Sequence, residues 1–247
     1  MTGTNDGNAV RRVKALAFDV FGTVVDWRSG IAHEAAAWFA AIGREDIDAA
    51  SFADAWRGLY QPALEACRSG ARPYTRLDIL NRETLEQLLH TLGVDRVAVG
   101  DARLATLAQA WRRLPPWPDA VPGLVRLKQR LPIVTLSNGN VALILEMARR
   151  AGLPWDAILG ADATQCFKPL PQAYLGTADL LGIEPAELCL VAAHHSDLAA
   201  ARACGLATAF VARPQEYGGR RAPDADARQD WEFEVDSLEA LADVFGC

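Results

Sequence analysis

Asp19 is the first residue whose type and position suggest chemistry, in the segment 17-AFDVFGTVVDWR-28. The apolar run Val13–Val20 predicts a buried strand, and the carboxylate comes near its end, just before a glycine turn. A carboxylate fixed at a strand terminus can act as a covalent nucleophile. Gly22 and Thr23 would close the turn and offer backbone and hydroxyl donors. An ordinary turn-forming Asp is the alternative, but the pattern DxxGT is more restrictive than a turn requires.

Lys168 is a candidate partner for this carboxylate. It lies in 167-FKPLPQAY-174, between an apolar residue and a proline. A solvated surface lysine is the ordinary expectation for this residue type. The alternative is a lysine that reaches Asp19, which would depress the pKa of that carboxyl and keep a nucleophile ionised.

Polar residues also follow other apolar runs. Leu131–Leu136 ends in 137-SNGN-140, Leu188–Ala193 ends in 194-HHSD-197, and Ala207–Ala212 ends in 213-RP-214. Helical patterns separate these runs, which predicts right-handed crossovers and a parallel sheet with helices on both faces. Ligands collect at the carboxyl ends of strands in such sheets. We therefore expect the polar residues at these ends to converge on Asp19, although Ser-Asn-Gly is also a good turn by itself.

The segment from Asp26 to Pro118 has a different pattern. It shows no convincing strand over roughly ninety residues and instead has amphipathic stretches typical of helices. The proline-rich 115-PPWPDAVPG-123 marks the return to the sheet. An all-helical insert after the first strand would form a lid over the strand ends. The predicted helices of the insert are Gly30–Ile42, Ser51–Cys67, Leu77–Leu92 and Asp101–Leu114, and those of the core are Val141–Ala151, Gln172–Leu181 and Leu198–Cys204.

The composition excludes several classes of protein. A net charge of −6 argues against a nucleic-acid-binding protein, because phosphate neutralisation needs a basic face. Five cysteines without a CxxC pair argue against a disulfide framework or zinc site and favour a reducing cytoplasm. Apolar runs are too short for a membrane span, and VKALAFDV is too short for a signal peptide.

Four segments together resemble the haloacid dehalogenase superfamily: DVFGTVVDW, SNGN, FKPLPQAY and AAHHSDLAAARACG. Within it they are similar to the (S)-2-haloacid dehalogenases, and the similarity extends from Val13 onward. The resemblance implies an α/β fold, with a Rossmann-like parallel-sheet core of residues 12–28 and 118–247. It also implies an all-helical cap of residues 29–117, preceded by a flexible tail of residues 1–11.

Phe21 separates the dehalogenases from the phosphatases of this superfamily. Phosphatases resemble DxDxT, and their second Asp protonates the departing alkoxide, which Phe21 cannot do. A halide is a very weak base and needs only donors that solvate it. Phe21 also leaves Asp19 and Asp197 as the only evident acidic candidates for a Mg²⁺ site, and a hard cation usually needs more oxygen ligands. We therefore expect no metal and no cofactor.

The resemblance also implies roles for the remaining site residues. Arg57, in 55-AWRGLYQPAL-64, matches the family's cap arginine and would stabilise the leaving halide together with Asn138. Ser137 and Thr23 would hold the substrate carboxylate. Tyr174 matches an active-site tyrosine of the family. Ordinary helix-surface or helix-packing positions are the alternatives for the arginine and the tyrosine.

The expected reaction is hydrolytic dehalogenation of a short 2-haloacid through an aspartyl ester. Asp19 attacks C2, halide leaves, and water held by Asp197 and His194 releases a 2-hydroxy acid. His194 departs from the best-studied pattern, which has an asparagine there, so the water-activating group stays open. A Mg²⁺-dependent phosphatase or phosphonatase-like hydrolase, and a catalytically silent carboxylate-binding relative, are the rival interpretations. The resemblance implies a homodimer.

Overall fold

A computed structural model describes residues 10–247 and shows a six-stranded parallel sheet in the order β3-β2-β1-β4-β5-β6. The α/β fold predicted from the sequence is confirmed, whereas residues 1–9 of the predicted tail lie outside the described residues. The strands are β1 (Ala15–Phe18), β2 (Ile133–Ser137), β3 (Ala157–Gly160), β4 (Leu188–Ala192), β5 (Ala207–Val211) and β6 (Phe233–Val235). The sequence did not reveal β3 and β6, because these two edge strands are short and carry partly exposed residues.

The central position of β1 explains its apolar sequence. Its four residues are all buried, since β2 and β4 flank it and helices cover both faces. Leu16 is in register with Ile133 on one side and with Cys189 on the other. β1 ends at Phe18, two residues earlier than predicted, so Asp19 is the first residue after the strand. The carboxyl ends of β1, β2 and β4 therefore lie side by side.

Residues 27–114 form helices and turns without a strand, as the sequence predicted. The predicted helix Ser51–Cys67 is wrong in one respect, because the chain forms two helices that meet at Leu59. Pro62 accounts for the break, since in a continuous helix its ring would clash with the carbonyl of Gly58, four residues earlier. The helices are Trp27–Ala41, Ala49–Gly58, Tyr60–Arg68, Leu77–Thr91, Arg96–Val99 and Asp101–Ala108, followed by the 3-10 helix Gln109–Arg112.

The helices around the sheet connect the strands and close the core. The sequence did not predict Ala120–Lys128 and Leu238–Val244, which pack on each other at Gly123, where a Cβ would lie 2.5 Å from the carbonyl carbon of Leu238. One hydrophobic cluster runs without interruption from the sheet into the helices of residues 27–112. The other helices are Val141–Ala151, Ala161–Thr164, Pro171–Leu181 and His195–Ala203, with 3-10 helices Pro185–Glu187 and Ala225–Ala227.

None of the helices in residues 10–247 is both long enough and apolar enough to cross a membrane.

Candidate active site

A cavity of about 730 Å³ lies at the carboxyl ends of β1, β2 and β4. Asp19, Asn138 and His194 line it, one from each of the three strand ends. The sequence predicted this convergence, because ligands collect at the carboxyl ends of parallel strands. The helices of residues 27–112 form the opposite wall. Those helices supply Trp27, Arg57 and Tyr60, and the chain after β5 supplies Tyr217. Lys168, in the loop before the helix Pro171–Leu181, and Asp197, in the helix His195–Ala203, complete the wall on the side of the sheet.

Asp19 is almost fully buried, and both of its carboxylate oxygens are engaged. Oδ1 accepts a hydrogen bond from Lys168 Nζ at 2.8 Å, and Oδ2 accepts one from the Thr23 hydroxyl at 2.7 Å. His194 Nδ1 lies 3.1 Å from Oδ2. Burial alone would raise the pKa of Asp19, but Lys168 and His194 together lower it far below its usual value. Asp19 is therefore a carboxylate at any ordinary pH.

Lys168 lies between two carboxylates, as one of the two sequence interpretations predicted. Its ammonium donates to Asp19 and to Asp197, and all three side chains are at most 10% exposed. Burial alone would lower the pKa of Lys168, but the two carboxylates outweigh burial and raise it. Lys168 is thus a cation fixed by hydrogen bonds to both carboxylates, and its charge lowers the pKa of Asp19.

Asp197 has a second donor in Tyr174. The Tyr174 hydroxyl is fully buried and donates to Asp197 Oδ1 at 2.6 Å. Burial and the charge of Asp197 both raise the pKa of Tyr174, which keeps its proton. Tyr174 does not line the cavity, so the structure places it behind Asp197 as a positioning group.

Arg57 and Asn138 face the cavity from opposite sides. The Arg57 guanidinium lies over the ring of Tyr60, 4.2 Å from its centroid, and its buried Nη1 has no hydrogen-bond partner among residues 10–247. Asn138 Nδ2 donates to the Tyr60 hydroxyl at 3.0 Å, and its Oδ1 accepts from the Lys168 amide at 2.8 Å. A buried donor without a partner is costly. The Nη1 donor of Arg57 is therefore available to a ligand in the cavity.

Phe21 is buried and contributes an apolar edge to the cavity, packed edge-on against Trp111. Ser137 and Thr23 are placed differently from their predicted role at the substrate carboxylate, since neither lines the cavity. The Ser137 hydroxyl accepts from the Gly139 amide at 3.1 Å and stabilises the turn. The Thr23 hydroxyl donates to Asp19 and accepts from the Ala193 amide at 2.9 Å, which joins the ends of β1 and β4.

The two neighbouring histidines have separate environments. His194 Nε2 lies 3.0 Å from Glu216 Oε1, opposite the ring nitrogen that faces Asp19. Burial would lower the pKa of His194, but Glu216 and Asp19 raise it well above its usual value. His195 stacks on Phe210 and accepts from Trp231 Nε1, and burial lowers its pKa. Only His194 belongs to the site.

The segment 213-RPQEYGGRRAPD-224 is the part of the site that sequence reasoning missed. It follows β5 and supplies Tyr217 and Arg220 to the cavity wall, with Glu216 behind His194. Arg220 donates to Asp54 on the helix Ala49–Gly58, which closes the cavity edge. This segment begins at the carboxyl end of a strand that the sequence did predict. Because ligands collect at the carboxyl ends of parallel strands, its position could have identified it as part of the site.

The acidic residues do not form an evident metal site. Asp19 and Asp197, the candidate ligands in the sequence, share the ammonium of Lys168 between them. Residues 10–247 contain no group of three or more His, Cys, Asp or Glu side chains arranged to hold a metal ion. The absence of a metal or cofactor from the reaction stays a prediction.

Comparison with known proteins identifies the family. Residues 13–205 match the family model of haloacid dehalogenase-like hydrolases. The chain belongs to this family, as its sequence motifs predicted.

Within this family, several of the similar proteins are named as 2-haloacid dehalogenases. An (S)-2-haloacid dehalogenase of Xanthobacter autotrophicus is 33% identical over 205 residues, which cover 81% of this chain and 76% of that protein. The crystal structure of a defluorinating L-2-haloacid dehalogenase is 48% identical, with a TM-score of 0.92 over 95% of this chain and 96% of that one. The L-2-haloacid dehalogenase of X. autotrophicus with chloropropionic acid covalently bound is 28% identical, with a TM-score of 0.77 over 94% and 98%.

Proposed function

We propose that this chain hydrolyses the carbon–halogen bond of short 2-haloacids, such as haloacetates and 2-halopropionates, and releases 2-hydroxy acids. The observation that carries the proposal is the ionised Asp19 at a cavity whose neighbouring wall residue, Phe21, has no proton to donate. A halide leaves without protonation, whereas an alkoxide leaves poorly without an acid. The names of the relatives support the same reaction.

In the first step, Asp19 attacks C2 of the substrate from the side opposite the halogen. A carbon–oxygen bond forms, the carbon–halogen bond breaks, and halide leaves with inversion at C2. Arg57 and Asn138 hold the departing halide, since both line the cavity and the buried Nη1 donor of Arg57 has no partner in the part of the chain that the structure describes. Donors preorganised where charge develops lower the barrier. The apolar Phe21 and Trp27 keep water away from the nucleophile.

In the second step, water attacks the ester carbonyl at Cγ of Asp19. His194 contacts Asp19 directly, and Asp197 is joined to Asp19 through Lys168. His194 and Asp197 orient that water, while Lys168 keeps its charge beside the carbonyl oxygen. The carbon–oxygen bond between Cγ and the alcohol oxygen breaks, which frees the 2-hydroxy acid. The cycle regenerates the Asp19 carboxylate and releases one proton and one halide.

Two finer features of the substrate follow from the relatives. We propose a preference for the (S)-enantiomer of 2-chloropropionate, since the similar enzymes are named for that enantiomer. We also propose that fluoroacetate is a substrate, because the relative at 48% identity is described as defluorinating. We also propose that the protein is a homodimer and that it acts in the cytoplasm. The five free cysteines of the chain fit a reducing compartment.

The experiment is a halide-release assay with fluoro-, chloro- and bromoacetate and both 2-chloropropionate enantiomers, with and without EDTA. We expect release that is insensitive to EDTA and is abolished in Asp19→Asn. Asp156→Asn is the matched control, because Asp156 pairs with Lys128 outside the cavity, and it should retain activity. Hydrolysis of phosphate esters that EDTA abolishes, with no halide release, would instead establish the phosphatase interpretation.

A further inference from the structure

Glu216 is a buried carboxylate that the proposed reaction has not yet used. Its side chain is 2% exposed, and it does not line the cavity. Oε1 accepts from Trp27 Nε1 at 3.0 Å and lies 3.0 Å from His194 Nε2. Burying a carboxylate is expensive unless it has partners of this kind. Glu216, His194 and Asp19 thus form a continuous row, with one imidazole nitrogen facing each carboxylate.

Gly22 makes the approach of Glu216 possible. Its φ is +91°, and a Cβ there would lie 2.1 Å from Glu216 Oε1. The glycine turn after β1 therefore has two functions, since it presents Asp19 and leaves room for a second carboxylate beside it. The segment that carries Glu216 is fixed further along by Asp224, whose carboxylate accepts from the amide and hydroxyl of Ser196.

We propose that Glu216 positions His194 as the base of the second half-reaction, holding the Nε2 proton so that Nδ1 takes a proton from the attacking water. This inference rests on the proposed dehalogenase function and deepens it. Other neighbours of Asp19 are poor proton acceptors. Lys168 is a cation, the Thr23 hydroxyl is not a base, and Asp197 already accepts from Lys168 and Tyr174.

The charge of Asp19 controls when His194 can act. While Asp19 is ionised, its charge and that of Glu216 raise the pKa of His194, so that each ring nitrogen carries a proton and His194 is not a base. Alkylation of Asp19 removes one of the two charges, and the Nδ1 proton leaves to solvent with the halide. The imidazole then has a lone pair at Nδ1, beside the ester, and an Nε2–H directed at Glu216. Other charged groups nearby are Lys168, which donates to Asp19, and Arg57 and Asp224, whose charges act on Tyr217, the residue after Glu216.

The proton balance closes over one turnover. Nδ1 takes a proton from water as the oxygen bonds to Cγ of Asp19, and it returns that proton to the alcohol oxygen as the ester bond breaks. Asp19 is left as a carboxylic acid, which passes its proton to Nδ1 and restores the starting state. The sum is one haloacid and one water converted to one hydroxy acid, one halide and the one proton already released.

The test is Glu216→Gln, which removes the charge of Glu216 but keeps an oxygen that can accept from Trp27 and His194. In rapid mixing with chloroacetate, the first equivalent of halide should appear at close to the wild-type rate. Steady-state turnover should fall by about 10²-fold, the effect typical of losing general base catalysis. The ester on Asp19 should then accumulate, and peptide mass spectrometry would detect it. The acid limb of kcat should move to lower pH, because the glutamate charge that stabilises the imidazolium is gone.

Glu232→Gln is the matched control, since Glu232 is a half-buried carboxylate bonded to Thr208 and Arg202 away from the cavity. It should accumulate no ester. If Glu216→Gln fails to fold, Trp27→Phe removes one of the bonds to Glu216 and should give a smaller accumulation. Normal turnover of folded Glu216→Gln without ester, or equal slowing of the first halide equivalent, would overturn the role of Glu216. Absence of halide release from the wild-type protein would instead refute the proposed function.

Discussion

Replacing Lys168 by methionine would test the charge arrangement around the nucleophile. Methionine keeps most of the side-chain volume but leaves Asp19 and Asp197 buried without their shared cation. Removing one partner of a buried ion pair typically costs about 3–5 kcal/mol, because the other charge stays buried and uncompensated. Here two carboxylates lose the same partner, so we expect the free energy of unfolding at pH 7 to fall by an amount in the upper part of that range.

The effect should depend on pH in a defined direction. The pKa of Asp19 is held below its unfolded value, so this carboxylate stabilises the fold above pH about 4 and the stabilisation is lost as the pH falls further. The pKa of Lys168 is raised, so its contribution is complete below its unfolded value of about 10.4 and is lost as the pH rises through the folded pKa. Lys168→Met removes the charge that lowers the pKa of Asp19 while burial still raises it, so the carboxyl of the folded variant takes up a proton at a higher pH than in the wild type. The gap between wild type and variant should therefore be widest near neutral pH and should narrow in acid.

Urea unfolding at pH 4, 5.5 and 7 would measure these differences, and halide release would measure activity. Lys128→Met is the matched control, because Lys128 forms an ion pair with Asp156 in which both side chains are more than a third exposed. Such a pair contributes at most about 1 kcal/mol. Equal destabilisation by Lys168→Met and Lys128→Met, or a gap that widens in acid, would refute the reasoning.

Three further outcomes are expected. A single turnover in H₂¹⁸O with excess enzyme should place ¹⁸O in Asp19, detected by peptide mass spectrometry, and label in the hydroxy acid alone would contradict the ester. Arg57→Lys should lower kcat/KM for chloroacetate by about 10²-fold, since a positioned donor to the leaving halide is lost; an unchanged value would exclude Arg57 from halide binding. Gly22→Ala should lower the melting temperature more than Gly70→Ala does, because both have positive φ but only the Cβ at Gly22 meets Glu216. Equal shifts would show that backbone strain alone matters.

Local sequence patterns were sufficient to predict the parallel sheet and the place of Asp19 at the end of a central strand. The apolar run Val13–Val20 predicts a buried strand with a carboxylate near its end, and β1 indeed ends directly before Asp19. The alternation of such runs with helices predicted the parallel sheet. The edge strands β3 and β6 escaped detection because a short strand at a sheet edge is only partly buried and lacks a continuous apolar run.

The order of apolar runs and polar residues along the chain is enough to predict which residue types meet at the strand ends, but only the folded chain shows what each of them contacts. The Thr23 hydroxyl binds Asp19, and the Tyr174 hydroxyl binds Asp197, so neither side chain faces the cavity. The direction of a side chain in the folded protein decides such contacts, and spacing along the sequence does not reveal it. Glu216 reaches His194 from a loop without periodicity, and its bond to Trp27 spans 189 positions in the chain. Contacts over such separations arise only when the helices close on the sheet, so no local pattern encodes them.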